Sequence, residues 1–552
     1  MQPSRSIILL LCIGSGLLWS LSWPAIGDLT PLAFIAWLPL LHAERLHEQR
    51  THGRRAFVPY AMLALLIWNL GCTWWFYCVS EPIGTKLITV GGPVVVNTLL
   101  MIVPWWMKRV AFRAFGERLS VVVFICAWLA MEHLQHNWDL QWPWLSIGNV
   151  FSTRPAMVQW YEYTGVLGGS LWVLSITSLL NEVLVAWRSE RKSAVRYACT
   201  ASVLLVVPST LSLVRFNSYQ APAGEVMEAI AVQPNIDPYT EKFGGLDPME
   251  QLDRMLHLAE TRITERTKLI VFPETALQEG TYMDRSSGTL QLHGLWENDI
   301  SASLSAERMK RFQAMHARVG LLTGMSSARM LERGEVPTST AHPLGDGKHY
   351  YEQYNAALWM PARGKVECYH KSKLVTGAES MPFEDVLGGM AVRLGGTSST
   401  LGKQAERSVL RDGATPVAVA PVICYESVFG EHVAAHVRNG ANLIAIITND
   451  GWWDDSPGYK QHLAFASLRA IENRRCIVRS ANTGTSCFVD QRGVISDASE
   501  WWKEDASVGE VRLNQHITFF TAHGDMIGRP AAVLAMLLLL AAMVQRMRKR
   551  SV

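Results

Sequence analysis

Apolar residues fall into two regimes along this chain. Up to about residue 213 they come as long runs, at 7–23, 57–79, 87–107, 119–131, 165–187 and 197–213, and one more run stands at 531–544. A helix needs about 20 apolar residues to cross a bilayer core, so the longer runs predict membrane spans and the shorter ones are borderline. The weakest candidate is 29–42, which contains Pro31 and Pro39. From about 215 the pattern changes. Short strand-like runs at 227–232, 269–272, 319–323, 417–423, 443–448 and 476–480 alternate with helical spacing at 248–268, 309–317, 432–437 and 461–474. Such alternation predicts a sheet covered on both faces by helices. Residues 281–305 and 385–412 are rich in Gly and Ser and read as loops or insertions.

Charge orients the spans. Basic clusters sit at Arg45, Arg50, Arg54 and Arg55, at Lys108, Arg109, Arg113 and Arg118, at Arg188, Arg191, Lys192 and Arg196, and at Arg546, Arg548, Lys549 and Arg550. With eight spans and a cytoplasmic N-terminus, every cluster falls on the cytoplasmic side, as loop charge bias requires. Dropping 29–42 breaks that parity, so it is kept as the second span. Removing 7–25 as a cleaved signal peptide breaks it too, although Arg5 and the small residues near 25 make that the alternative. The division expected is a seven-span bundle at 1–214, an extracytoplasmic domain at 215–528, and a last span with a basic cytoplasmic tail at 529–552. Glu132 and Glu162 are expected at the outer interface among Trp138, Trp142, Trp144 and Trp160, an aromatic belt. Glu182, inside the sixth span beside Asn181, has either a structural or a functional reading.

Composition agrees and narrows the class. The chain has 552 residues, 49% hydrophobic and only 18% charged, with 21 Trp. That charged fraction is below the roughly 25% of soluble domains. A net charge of +3 gives no basic field for nucleic acid. Nine cysteines, an odd number with no C-x-x-C pair, argue against a disulfide framework and a structural zinc site. No H-E-x-x-H occurs, and His370, His432 and His462 lack metal-ligand spacing, so no metal is expected. Residues 395–403 lack the first glycine of a phosphate-binding loop.

Two strand ends carry reactive side chains. Glu274 and Cys424 each follow an apolar strand, where open α/β sheets place their sites. Lys371 follows an extended stretch at 354–360 and a turn at 362–364. A thiol has a pKa near 8.5 and needs help to become a nucleophile. A carboxylate can take its proton, and an ammonium can stabilise the oxyanion that follows. Glu, Lys and Cys together suit acyl transfer through a thioester. Taken singly, the ordinary readings are a helix cap, a solvated charge and a small buried hydrophobe.

Together with their neighbours these residues carry a resemblance. Phe272-Pro273-Glu274-Thr275-Ala276, Tyr369-His370-Lys371 and Cys424-Tyr425-Glu426 resemble the nitrilase (carbon–nitrogen hydrolase) superfamily with its Glu-Lys-Cys triad. A more specific set is Thr448-Asn449-Asp450-Gly451-Trp452-Trp453, Gln461-His462, Arg469, Glu472 and Arg479 to Gly484, with Gly524-Asp525 before the last span. That set is similar to the apolipoprotein N-acyltransferase family. The resemblance implies a membrane bundle of about eight helices plus an extracytoplasmic α/β nitrilase-like αββα sandwich. It implies Glu274 as general base, Lys371 as oxyanion-stabilising cation and Cys424 as nucleophile, supported by Glu379, Tyr425 and Glu426. Where the family usually has Pro-Phe-Gly before the second glutamate, this chain has Thr376-Gly377-Ala378. The aromatic of the loop after Asn235 is either Tyr239 or Phe243.

The implied reaction moves an acyl chain from a membrane phospholipid to Cys424. The chain then passes to the N-terminal α-amine of the diacylglyceryl-cysteine of an apolipoprotein. No cofactor and no nucleic acid take part. The implied setting is the bacterial inner membrane, with a monomer whose catalytic domain faces the periplasm. The alternative is a membrane-tethered nitrilase-type amidase hydrolysing an amide, which leaves the many spans without a purpose. A transporter is the third class. It places paired polar groups near mid-membrane, and only Asn181 and Glu182 qualify.

Overall fold

The computed structural model describes residues 4–51, 56–284, 291–344, 349–383 and 400–548. Arg54, Arg55, Lys549 and Arg550, and the expected loop residues at 285–290 and 385–399, lie outside the described residues. Among the described residues, seven helices are long and apolar enough to cross a membrane. They include α1 (Arg5–Ser22), α3 (Val58–Thr73, prolonged by a 3-10 turn to Cys78), α4 (Ile83–Phe115) and α5 (Glu117–Asn137). The others are α6 (Val166–Ser189), α7 (Arg191–Ser218) and, after the second domain, α12 (Gly528–Arg548).

The expected second span is not a helix of that length. Residues Thr30–Phe34 form a 3-10 turn, and the chain then enters α2 (Leu38–Thr51), which carries Glu44, Arg45 and Glu48. Pro31 has no N–H to give a helical ladder, and Pro39 allows a helix only from its first turn. The returning leg is nonetheless packed, since Thr30, Ala33 and Ala36 are completely buried. α2 supplies two buried-side ion pairs, Lys108 with Glu44 and Arg109 with Glu48. Glu182 pairs with Arg45 at 3.5 Å, which gives it a structural reading.

Tryptophans fill the bundle core. Trp19 stacks on Trp68 at 4.5 Å, and Trp37 meets Trp128 edge-on at 5.1 Å. Offset and edge-to-face pairs of this kind add to the area that the rings bury.

The second domain is two sheets face to face, each carrying helices on its outer side. In the first sheet β1 (Val226–Gln233), β2 (Thr267–Val271) and β3 (Gly320–Met330) run parallel. β4 (Tyr350–Met360) pairs antiparallel with β3, and β5 (Glu367–His370) antiparallel with β4. The second sheet is built on parallel β6 (Ala418–Ile423), β7 (Leu443–Thr448) and β8 (Ile477–Ala481), with antiparallel β9 (Cys487–Val489) beyond. The strand β10 (Asp505–Arg512) returns to the first sheet against β1.

Strand alternation explains the four layers. Met227, Ala229 and Ala231 of β1 point between the sheets, toward Val419, Ala445 and Val478. Ile230 and Val232 point outward, under α8 (Pro248–Glu260) and α9 (Leu304–Met315). Likewise Val422, Ile444 and Ile446 lie under α10 (Gly430–Arg438) and α11 (Pro457–Asn473). Central strands buried on both faces read as unbroken apolar runs, as β6 and β7 do.

The two domains share one apolar core. Tyr425, Phe429, Phe465 and Leu468 pack in the same cluster as the bundle tryptophans. Polar locks flank it. Trp144 Nε1 donates to Gln461 Oε1 at 2.7 Å, and Gln461 Nε2 donates to the Cys72 carbonyl at 3.2 Å. Arg474 Nε donates to Glu162 Oε2 at 2.7 Å, and the Val166 amide donates to Glu472 Oε1 at 3.1 Å. Glu132 accepts from Trp128 Nε1 and the Ile147 amide. Glu132 and Glu162 are thus buried inside these contacts, and not in an open interfacial belt. A buried carboxylate needs such partners, whereas an exposed one does not.

Candidate active site

Glu274 stands three residues beyond the last residue of β2 and one before Thr275, whose φ is +46°. The turn is clamped from both sides. The Gly324 amide donates to the Pro273 carbonyl at 3.0 Å, and the Leu277 amide to the Gly324 carbonyl at 3.0 Å. A Cβ on Gly324 would come within 2.4 Å of the Thr275 nitrogen, so only glycine fits there. The carboxylate is buried and fully engaged. Its Oε1 accepts from Asn355 Nδ2 at 2.8 Å and Lys371 Nζ at 3.0 Å. Its Oε2 accepts from the Asn449 amide at 3.1 Å.

Lys371 follows β5 directly and is 1% exposed. Its amide donates to the Asn355 carbonyl at 2.8 Å, which fixes the backbone beside β4. Its ammonium bridges Glu274 Oε1 and Glu379 Oε1, the latter at 2.8 Å. Burial alone would lower its pKa, but the two carboxylates overcome that and hold it well above the usual lysine value. Glu379 takes Asn355 Nδ2 at 3.0 Å and the Val375 amide at 2.8 Å. The Thr376-Gly377-Ala378 stretch closes tightly under it. Gly377 has φ +88°, and its amide donates to the Ser380 carbonyl at 2.7 Å.

Cys424 begins a 3-10 turn after β6 and has φ +51°, an unusual value outside glycine. That strain is offset by a buried network. His462 Nε2 lies 3.1 Å from the Cys424 carbonyl, and its Nδ1 lies 3.0 Å from Asp450 Oδ1. Arg479 Nη2 donates to Asp450 Oδ2 at 2.6 Å. Burial pushes the Cys424 thiol far up and Glu274 adds to that, while Lys371 opposes it. A standing thiolate is therefore disfavoured, and attack requires the proton to leave as the new bond forms.

The supporting residues have different places. Glu426 does not face the thiol. It is completely buried and accepts from the Ile423, Ser372 and Lys373 amides and from Tyr369 Oη. Burial would raise it, yet His432 and those donors bring it down to about 2. It braces the turn carrying Cys424 against the segment carrying Lys371. Tyr425 points toward the bundle. Its hydroxyl donates to the Gln141 carbonyl at 3.0 Å, and its ring lies 5.1 Å from Phe429.

Lys373 turns away from Lys371, donating to the His136 carbonyl at 3.0 Å, and His370 pairs with Glu297 at 2.7 Å. Tyr239 and Phe243 both lie on Trp452, with ring centres 5.3 and 5.8 Å apart. Asn355, and Lys242 on the Glu274 carbonyl, belong to the site without having been singled out from sequence. Asn355 shows in the sequence as one of three polar residues, with Glu352 and Gln353, in the first half of β4.

A carboxylate, an ammonium and a thiol thus stand on three strand ends of two facing sheets. This set has the chemistry to accept an acyl group, hold its oxyanion and release a leaving group. Comparison with known proteins bears on the family. The family model "Carbon-nitrogen hydrolase" matches residues 228–518, and "Apolipoprotein N-acyltransferase N-terminal domain" matches residues 15–179. The chain is 32% identical to the apolipoprotein N-acyltransferase of Chlorobaculum tepidum, over 96% of this chain and 96% of that protein. It is 26% identical to that of Geobacter metallireducens, over 94% and 92%. Among solved structures, a nitrilase-superfamily protein of Saccharomyces cerevisiae matches at 15% identity and TM-score 0.34, over 56% of this chain and 98% of that one. An amidase from Nesterenkonia matches at 17% identity and TM-score 0.35, over 57% and 99%. From its first spans to its last strands, the chain belongs to the apolipoprotein N-acyltransferase family.

Proposed function

We propose that this chain takes an acyl chain from a membrane phospholipid and gives it to the N-terminal α-amine of diacylglyceryl-cysteine on an apolipoprotein. Residues 1–214 and 529–552 form the membrane part. Residues 215–528 form the catalytic domain, on the periplasmic side of the bacterial inner membrane. Glu274 takes the proton of Cys424 as the sulfur attacks the ester carbonyl. Lys371 stabilises the oxyanion. Glu274 then returns the proton to the departing lysophospholipid alkoxide, leaving a thioester. In the second half the acceptor amine attacks the thioester carbonyl and loses a proton to Glu274; the C–S bond breaks, and Glu274 returns that proton to the departing Cys424 sulfur.

The observation that carries this reading is where the thiol lies. Cys424 is followed by Tyr425, which with Phe429 packs in the core shared by bundle and catalytic domain, so the thiol's turn is seated against the membrane part, from which a lipid-anchored chain would have to reach it. The 9% exposure of Cys424 also favours transfer over hydrolysis, because water must be kept from the thioester. The test uses the purified full chain in detergent with a defined phospholipid. A hydroxylamine-sensitive acyl adduct on Cys424, absent in Cys424→Ser, is expected by mass spectrometry. A lipopeptide amine should then discharge it as N-acyl product. Fast release of free fatty acid without acceptor would instead favour the amidase-like reading. An adduct on Cys368, Cys476 or Cys487 would overturn the assignment of the nucleophile.

A further inference from the structure

A second amine is buried beside the triad. Lys242 lies in the loop between β1 and α8 and is 2% exposed. Its Nζ donates to the backbone carbonyl of Glu274 at 2.8 Å. No ion pair holds it among the described residues. Its main chain is also fixed. The Lys242 amide donates to the Asp237 carbonyl at 2.9 Å, and its carbonyl accepts from Gln251 Nε2 at 3.1 Å. Burying an ammonium without a carboxylate partner is costly, and an apolar side chain of similar length would fill the space without that cost. Packing therefore does not account for a lysine here.

The neighbours suggest what does. The carbonyl it grips belongs to the residue that supplies the base, next to the positive-φ Thr275. Phe243, the residue after Lys242, stacks on Trp452 and is 53% exposed at the rim of the loop. One short segment thus places an aromatic outside and an ammonium inside. The titratable groups facing Lys242 are Glu274 after β2 and the thiol of Cys424 after β6. Lys371 and Glu379 stand beyond Glu274. Burial lowers Lys242 to about 7, against the opposing pull of Glu274 and Cys424, so its charge changes near neutral pH.

We propose that Lys242 is a positioning residue of this site: it holds the Glu274 peptide so that the carboxylate meets the Cys424 thiol, and it adds positive charge as the thiol gives up its proton. This rests on the acyl-transfer reading above. The experiment measures single-turnover acylation of Cys424 by a defined phospholipid across pH, in the full chain, for wild type, Lys242→Met and Lys242→Arg.

In wild type, a downward step in rate is expected as pH rises through about 7, where Lys242 loses its proton. Lys242→Met should be slower by about 10- to 100-fold, the usual worth of a hydrogen bond from a charged group, and should lack the step. Lys242→Arg should recover part of the rate and hold it to higher pH. Lys242→Met acylating at the wild-type rate would overturn the proposal. So would a rate loss that leaves the step in place, since that is what a merely structural role predicts. If Lys242→Met does not fold, the wild-type and Lys242→Arg profiles still decide. A wild-type chain that never acquires an adduct on Cys424 would instead sink the acyl-transfer reading.

Discussion

At the scale of single residues, the site depends on backbone as much as on side chains. Gly324→Ala is expected to push Thr275 and Glu274 out of place, because the added carbon would sit 2.4 Å from one and 2.6 Å from the other. A displacement of about 1 Å at a reacting group costs on the order of 100-fold in rate. Single-turnover acylation should show that loss while the far-UV spectrum stays unchanged. Glu426 makes the contrasting case. Its folded pKa of about 2 lies below the ordinary 4.5. A depressed carboxylate contributes stability above its unfolded value and loses it as pH falls through the folded one. Wild type should therefore lose stability between about pH 4.5 and 2 partly through this group, and Glu426→Gln should flatten that part of the curve.

At the scale of elements, the chain showed its strands better than its turns. β6 and β7 are legible because they are apolar on both faces, and β1, β2 and β8 because each carries a short apolar run bounded by polar breaks. So is the placing of Glu274 and Cys424 at strand ends. The returning leg at 29–42 misled because burial there serves tertiary packing, while Pro31 and Pro39 prevent a long helix. Lys242 and Asn355 gave no comparable signal, since what marks them is a contact with a residue far along the chain. The 375–380 turn shows how a family departure is absorbed. Gly377 supplies the φ of +88° that lets Glu379 fold back on Lys371. Gly377→Val should therefore cost on the order of 1 kcal/mol of stability. It should also slow acylation more than it lowers Tm, which paired kinetics and thermal melts would reveal.

At the scale of the whole molecule, bundle and catalytic domain are one body. Arg474 reaches from the end of α11 into the bundle, where Glu162 and Gln159 receive it. Breaking a buried ion pair by removing one partner costs about 3–5 kcal/mol. Glu162→Ala should lower Tm accordingly, and Arg474→Met in the same chain should restore part of the loss, as a double-mutant cycle would measure. Trp144 is tied to Gln461 and Val166 to Glu472, so the two parts are held together at several points. A fragment trimmed to the nitrilase-like half would thus be no miniature enzyme. Its severed underside would bare Phe465, Leu468 and Phe429 to water, and such a wound invites clumping long before it meets a lipid.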